Sequence, residues 1–314
     1  MATFILTETE DNLDINRIVP VKGPFRLATA LNVYLRHDEP RRDPNESARV
    51  SFSVEIPGGA VEVIVKQEKP GDNLLLRIVG NNADDEVADK TVSNITRMFS
   101  LGVDPTSFFE KTVKDKNLGY ASTMFPDLRP VLYMTPFEGI IRLVISQRLS
   151  PDQSANLIRN LREVSGIVPP GRPYAQPAFP GKNTILAVPN RLLEVAGLPN
   201  NKVRNIKAIA ASLVGEPDVL EYLCNIVDQY KARKSLEQLP GVNHRMAEHM
   251  LIYAYGFRDV LIDDPALLKA IQRFYSFSAL PDKSIVARLS QSYIPWRSWW
   301  IYLLLTANET SVIV

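Results

Sequence analysis

Two stretches in the N-terminal third carry the alternation of a half-buried sheet. Ser51 to Val65 reads SFSVEIPGGAVEVIV and Asn73 to Val79 reads NLLLRIV, both rich in β-branched and aliphatic residues, which predicts strands. Pro57-Gly58 and Pro70-Gly71 punctuate them as turns, while Pro24 to Leu35 before them and Asp85 to Phe99 after them have helical spacing. Past Asp104-Pro105 the period of two stops and apolar residues recur at helical intervals, as in Pro136 to Leu149 and Gln153 to Ser165. Five prolines from Val168 to Pro180, with Pro189 just beyond, interrupt that pattern and predict an extended surface loop. The expected fold class is α+β, a small antiparallel-sheet domain followed by a mostly α-helical core.

Composition narrows the class of protein. A chain of 314 residues, 45% hydrophobic and 23% charged, is long enough for two or three domains and too apolar to be mainly disordered. It has no run of eighteen apolar residues, and Glu8, Glu10 and Asp11 stand where a signal peptide needs positive charge and then an apolar stretch. An intracellular protein is expected, in the cytoplasm or nucleoid of a bacterium or archaeon or in the nucleus of a eukaryote, with no membrane partner. The single cysteine, Cys224, permits no intramolecular disulfide and excludes a four-cysteine zinc site or iron–sulfur cluster. The net charge of +1 hides an asymmetry: residues 131–249 hold 14 Lys/Arg against 10 Asp/Glu, whereas residues 1–130 hold 16 against 20. That surplus is compatible with a polyanionic partner and equally with solvated helix faces.

Two segments carry candidate chemistry. Leu239-Pro240-Gly241-Val242-Asn243 joins two helical stretches by a very short turn, in which Gly241 is free to take positive φ and Asn243 is the non-glycine residue that best tolerates it. From His244 onward, successive amides at a helix start would attract phosphate; an ordinary tight corner between helices has the same local sequence. Asp263-Asp264 lies just before Pro265 and a new amphipathic helix. Read in isolation Asp264 is an N-cap, with Pro265 at the first helical position, and no more.

Order and spacing change that reading. Pro136-Phe137-Glu138, then Ile145-Ser146-Gln147-Arg148-Leu149-Ser150, then the Leu-Pro-Gly-Val hairpin and Asp264 about twenty residues later together resemble the helix-hairpin-helix DNA glycosylase superfamily. The closing Pro295-Trp296-Arg297-Ser298-Trp299 and the acidic N-terminal unit are similar to the DNA-3-methyladenine glycosylase II branch. The resemblance implies an α+β domain over 1–105, a helical domain over 136–249 ending in the hairpin, and a second helical domain from 106–135 plus 250–314 completing the cleft. It implies a monomer acting on double-stranded DNA that contains a damaged base, which is flipped out and excised by hydrolysis of its N-glycosidic bond.

By the same resemblance Asp264 is the catalytic residue and Asp263 supports the turn. Gly241, Asn243, His244, Arg245, Gln147, Arg148 and Leu149 contact DNA, with Arg148 as the plug that fills the gap left by the flipped base. Asn243 stands in place of the usual second glycine and is expected to share its left-handed backbone. Arg245, His249, Pro265 and Leu305 fall at the base-pocket positions. Main-chain carbonyls of Glu237, Leu239 and Val242 are the expected ligands of a structural Na+ or K+, with no other cofactor required and no iron–sulfur cluster. Arg245 also stands where bifunctional relatives have a nucleophilic lysine; a guanidinium stays protonated, which implies a monofunctional enzyme. The pocket positions lack the aromatic walls that favour cationic alkylated bases. Alkylated bases lead as substrates, 8-oxoguanine, uracil and hypoxanthine stay open, and so does a DNA-binding protein without catalysis.

Overall fold

The computed structural model describes residues 13–34, 47–215 and 218–310. Glu8, Glu10 and Asp11, used above to argue compartment, and Leu35, the last residue of the first expected helix, lie outside the described residues. Four strands, β1 (Leu13–Val19), β2 (Ala48–Ile56), β3 (Gly59–Gln67) and β4 (Leu74–Gly80), form one antiparallel sheet in the order β1-β4-β3-β2. The alternation of β3 and β4 delivers Val61, Val63 and Val65 with Leu74, Leu76 and Ile78 to one buried face. Helices α1 (Leu27–Tyr34) and α2 (Asp85–Met98) close that core, α2 offering Ala88, Thr91, Ile95 and Met98. Asp84 caps α2, its side chain accepting from the Val87 amide.

Strand β1 was not expected from the sequence. It is an edge strand whose alternation is broken by Asn16 and Arg17, and Ile18 is 64% exposed, so the hydrophobic signal is weak. Its place in the sheet is fixed by pairing with β4, from Leu13 opposite Gly80 to Val19 opposite Leu74.

The remainder is helical: α3 (Thr106–Lys114), α4 (Gly119–Met124), α5 (Pro136–Ser146), α6 (Pro151–Ser165), α7 (Lys182–Ala187), α8 (Asn190–Val195), α9 (Asn200–Ser212), α10 (Val219–Leu223), α11 (Gln229–Leu236), α12 (His244–Tyr253), α13 (Pro265–Phe274), α14 (Lys283–Gln291) and α15 (Arg297–Glu309). They bury a second core around Ile140, Ile141, Ile206, Ala247, Leu267, Ile271 and Trp300. The proline-rich stretch 168–180 has no helix or strand, as its composition predicts.

Arg129 rivets the sheet to the helices. Its side chain is almost wholly buried, yet it donates to the carbonyls of Lys22, Pro24, Ser100 and Val103 and lies over the Phe25 ring at 5.4 Å. Burial pulls its pKa down to about 10, still charged at neutral pH. Removing it would take the guanidinium donors from all four carbonyls at once.

Candidate active site

Three chain segments, tied together through α12, make up the candidate site. The first is α12 and its turn. Gly241 takes φ +73° as the sequence predicts, and a Cβ there would meet only Asn205 at ordinary contact distance, so backbone torsion and not space requires glycine. Asn243 corrects an expectation: its backbone is extended (φ −95°, ψ 172°), not left-handed, and its side chain accepts from the Met246 amide at 3.0 Å. The reason is the N-cap itself, which needs a β-region backbone to aim its side-chain oxygen at the third amide of the helix. The other first-turn amides of α12 have no intrahelical acceptor and remain available to an anion. His244, the first helical residue, lies between two carboxylates, Nδ1 at 2.8 Å from Glu237 and Nε2 at 3.1 Å from Glu248. Lys234 and His244 hold the Glu237 carboxyl below its usual range.

The second segment is the turn between α5 and α6. The helix expected over Pro136 to Leu149 stops at Ser146: Gln147 leaves helical torsions and Arg148 takes φ +58°, a left-handed conformation unfavourable for a non-glycine residue. α6 then restarts with a capping box, Ser150 and Gln153 satisfying each other's backbone. Arg148 is left exposed, Leu149 is half-buried, and Gln147 Nε2 turns back to Met246 Sδ at 2.8 Å, tying this loop to the hairpin helix. Helices α5 and α12 approach closely at Gly139, where a Cβ would meet Tyr133 at 2.9 Å and Ala254 at 3.1 Å. Lys202 of α9, which the sequence reading missed, supports this turn. Buried, it donates to the carbonyls of Ile145 and Gln147, closing the open end of α5 and holding the loop. Its signal was present: a lysine on the apolar stripe of Val203, Ile206 and Ile209.

The third segment runs from Arg258 to Asp264. Arg297 grips Asp259 with two charge-assisted hydrogen bonds of 2.7 and 2.9 Å, and the Ser298 hydroxyl accepts from the Val260 amide at 3.0 Å. Trp296, Trp299 and Trp300 are buried in the core, so the closing Pro-Trp-Arg-Ser segment acts here as a clamp that sets the approach to Asp264. Asp263 points away and pairs with exposed Lys283 at 2.7 Å.

Asp264 caps α13, Oδ1 accepting from the Ala266 amide at 2.7 Å. Its Oδ2 accepts from Arg245 Nη2 at 2.8 Å and lies 3.4 Å from His249 Nε2, close enough for charge attraction but not aligned for a hydrogen bond. The His249 ring foremost, then the Ala266 amide and Arg245, hold the carboxyl far below the ordinary carboxylate range, although burial opposes them. The His249 ring lies against Tyr253 in a tilted arrangement (5.8 Å between centroids, 33°). Of the base-pocket candidates, Arg245 and His249 are therefore at Asp264. Pro265 is the exposed first residue of α13, and Leu305 is half-buried on α15, against the helical core.

A hairpin flanked by helices, an exposed left-handed arginine beside it, and an ionised aspartate at the next helix start are one arrangement in this chain. The chain superposes on the 3-methyladenine DNA-glycosylase of Archaeoglobus fulgidus with a TM-score of 0.77 over 95% of this chain and 100% of that one, at 21% identity. The chain has the helix-hairpin-helix glycosylase fold. The same fold matches the structure of MBOgg1 with a low-affinity DNA ligand (TM-score 0.66, 17% identity, 95% of this chain and 96% of that one). It also matches Schizosaccharomyces pombe 3-methyladenine DNA glycosylase Mag1 in complex with abasic DNA (0.54, 18%, 66% and 98%). In sequence, the alkylbase DNA glycosidase-like protein mag2 of the same yeast is 24% identical over 173 residues, 53% of this chain and 76% of that protein. No family model matches. Among the described residues no helix is long and apolar enough to cross a membrane, and no cluster of three or more His, Cys, Asp or Glu could hold a metal ion.

Proposed function

We propose that this protein is a monofunctional DNA glycosylase that removes damaged bases, alkylated ones among them. The observation that carries the reading is Asp264: a half-buried carboxylate kept ionised at a helix start and cross-linked to the hairpin helix through Arg245 and His249. The first-turn amides of α12, with Gly241, Asn243 and His244 around them, receive a DNA phosphate. Neutral carbonyl oxygens at Glu237, Leu239 and Val242 are the donor set that suits Na+ or K+, and an ion there would add positive charge beside that phosphate; the Leu239 carbonyl already turns inward to accept from the Val242 amide. The damaged nucleotide swings out, and Arg148, with Gln147 and Leu149 beside it, fills the vacated stack.

Breaking the N-glycosidic bond develops positive charge on the sugar. Asp264 faces that charge as a fixed carboxylate and guides water to the sugar carbon. Arg245 remains a cation and makes no covalent bond to the sugar. The test is a strand-cleavage assay of wild type and Asp264→Asn on duplexes carrying methylated adenine, hypoxanthine, uracil or 8-oxoguanine. Excision of at least one base, abolished in the variant and leaving no borohydride-trapped adduct, is the expected result. A second reading, a DNA-binding protein that no longer excises, draws on both Asp264 oxygens being already engaged. Tight binding to abasic duplex with no excision of any base would establish it instead.

A further inference from the structure

The proline-rich stretch 168–180 and the outer edge of the sheet flank a cleft that excision does not use. β2 is the last strand in the order β1-β4-β3-β2, and every residue from Arg49 to Ile56 lines a cavity of about 1460 Å³ between that edge, the proline-rich stretch, α5 and α6. No residue of the hairpin, of the Gln147 to Leu149 turn or of the start of α13 lines it. The wall across from β2 is pinned in place. The Glu55 carboxylate accepts from the Gly181 amide and the Thr184 hydroxyl, both at 2.8 Å, and Arg172 pairs with Glu62 at 3.1 Å.

The edge is ready to pair. The two-residue turn at Pro57-Gly58 sets Ile56 opposite Gly59, so Val50, Phe52 and Val54 turn their backbone groups to β3 while Ser51, Ser53 and Glu55 turn theirs outward. No backbone hydrogen bond among the described residues meets those outward groups. Serines occupy the middle of the strand, with neither proline nor lysine there to block a further strand. On its inner face Val50, Phe52, Val54 and Ile56 are only partly buried, whereas Val61, Val63 and Val65 of β3 are wholly so. Beside Phe52, whose ring meets that of Tyr34 edge-on at 6.0 Å, two guanidiniums share one carboxylate. Arg142 donates to Glu138 at 2.7 Å and lies over the Tyr133 and Phe179 rings. Arg162 donates to the Pro177 carbonyl and to Gln176 and keeps Nη2 without an acceptor among the described residues, as the Tyr34 and Tyr133 hydroxyls are without a partner.

We infer that this cleft takes an extended, acidic segment of a partner protein, added to β2 as a fifth strand with its carboxylate seated between Arg142 and Arg162. Main-chain pairing comes from the outward amides and carbonyls of Ser51, Ser53 and Glu55, and alternate side chains of the segment cover the apolar surface left around Phe52. The acid completes the charge. It balances the second guanidinium and accepts from Arg162 Nη2 and the two phenols. Burial already disfavours the charge of Arg162 and pulls its pKa down, which a carboxylate beside it relieves. Space agrees: six residues of added strand occupy roughly 20 Å by 4.8 Å by 10 Å, about 950 Å³. A small free anion would meet the arginines and leave the edge of β2 unpaired.

The experiment selects a displayed library of random octapeptides on the immobilised full chain, with Ser53→Pro as the counter-target. Proline there removes one outward N–H and leaves the ladder to β3 intact. Peptides held by wild type should alternate β-branched residues around one aspartate or glutamate, and in fluorescence anisotropy should bind Ser53→Pro at least about tenfold more weakly. Changing that acid to its amide, or N-methylating the peptide amides that face β2, should each cost wild-type binding at least about tenfold. The N-methylated peptide decides even where the variant does not fold. Ser53→Pro should bind an abasic duplex as wild type does, since the cleft is apart from the hairpin. Retention of no peptide, or equal affinity for the N-methylated or the amide form, overturns the assignment. A dimer in sedimentation that Ser53→Pro dissociates places a second copy on the edge and overturns it as well.

Discussion

Replacing Asn243 by aspartate separates capping from phosphate binding at the hairpin. In the free protein the substitution is mild. Aspartate caps as well as asparagine, so the bond to the Met246 amide is kept, and its charge at the N-terminus of α12 adds about 0.3–1 kcal/mol, offset in part by the nearby Glu237 and Glu248. The melting temperature should stay within about 2 °C of wild type. DNA sees the opposite sign. With a phosphate about 6 Å from the new carboxylate, the repulsion is about 0.7 kcal/mol at the dielectric constant of water and about 2.8 kcal/mol at an effective value of about 20. That range corresponds to a roughly three- to hundredfold weaker Kd. Fluorescence anisotropy with an abasic duplex at low ionic strength reads it, and the penalty should shrink as salt is added. A stable variant that binds as tightly as wild type would refute the phosphate site, and a melting temperature lowered by more than about 4 °C would refute the capping geometry.

Arg148→Gly should relieve the left-handed backbone by about 1 kcal/mol and raise the melting temperature slightly, while weakening binding to an abasic duplex; unchanged affinity would remove Arg148 from the role of plug. Lys202→Met leaves the Ile145 and Gln147 carbonyls without their buried donor, so a loss of about 1–3 kcal/mol in chemical denaturation is expected, with weaker abasic-site binding because the Gln147 to Leu149 loop is no longer held. The carboxyl of Asp264 titrates lower in the folded protein than in the unfolded chain, so its stabilising contribution is complete above about pH 4 and is lost as pH falls through the lower folded value. The melting-temperature advantage of wild type over Asp264→Asn should therefore narrow between about pH 5 and about pH 2, and a constant gap would contradict it.

The strands β2 to β4 and the long helices were legible because periodicity reports burial directly, and Gly241 because glycine takes positive φ without a Cβ penalty. β1 was not, since Asn16 and Arg17 break its apolar alternation and its place is set by hydrogen bonds to β4. Asn243 was read for its tolerance of positive φ, when the deciding property was its side-chain oxygen at an N-cap. Arg245 and His249 were named individually as pocket positions, but their common target, Asp264, appears only when α12 is laid beside the start of α13. Lys202 shows the same limit: the sequence displays an odd lysine on an apolar stripe, and its acceptors lie more than fifty residues away.

The central claim is that the charge of Asp264, and not its cap, performs the chemistry. Asp264→Asn and Asp264→Ser each retain an acceptor for the Ala266 amide and remove the carboxylate. Quantifying free base released from a single-lesion duplex in one turnover, beside the melting temperature of each variant, tests the claim directly. Both variants should melt within about 3 °C of wild type and release base at least about a hundredfold more slowly. A folded variant that releases base within about threefold of the wild-type rate would contradict the account and leave Asp264 as a helix cap.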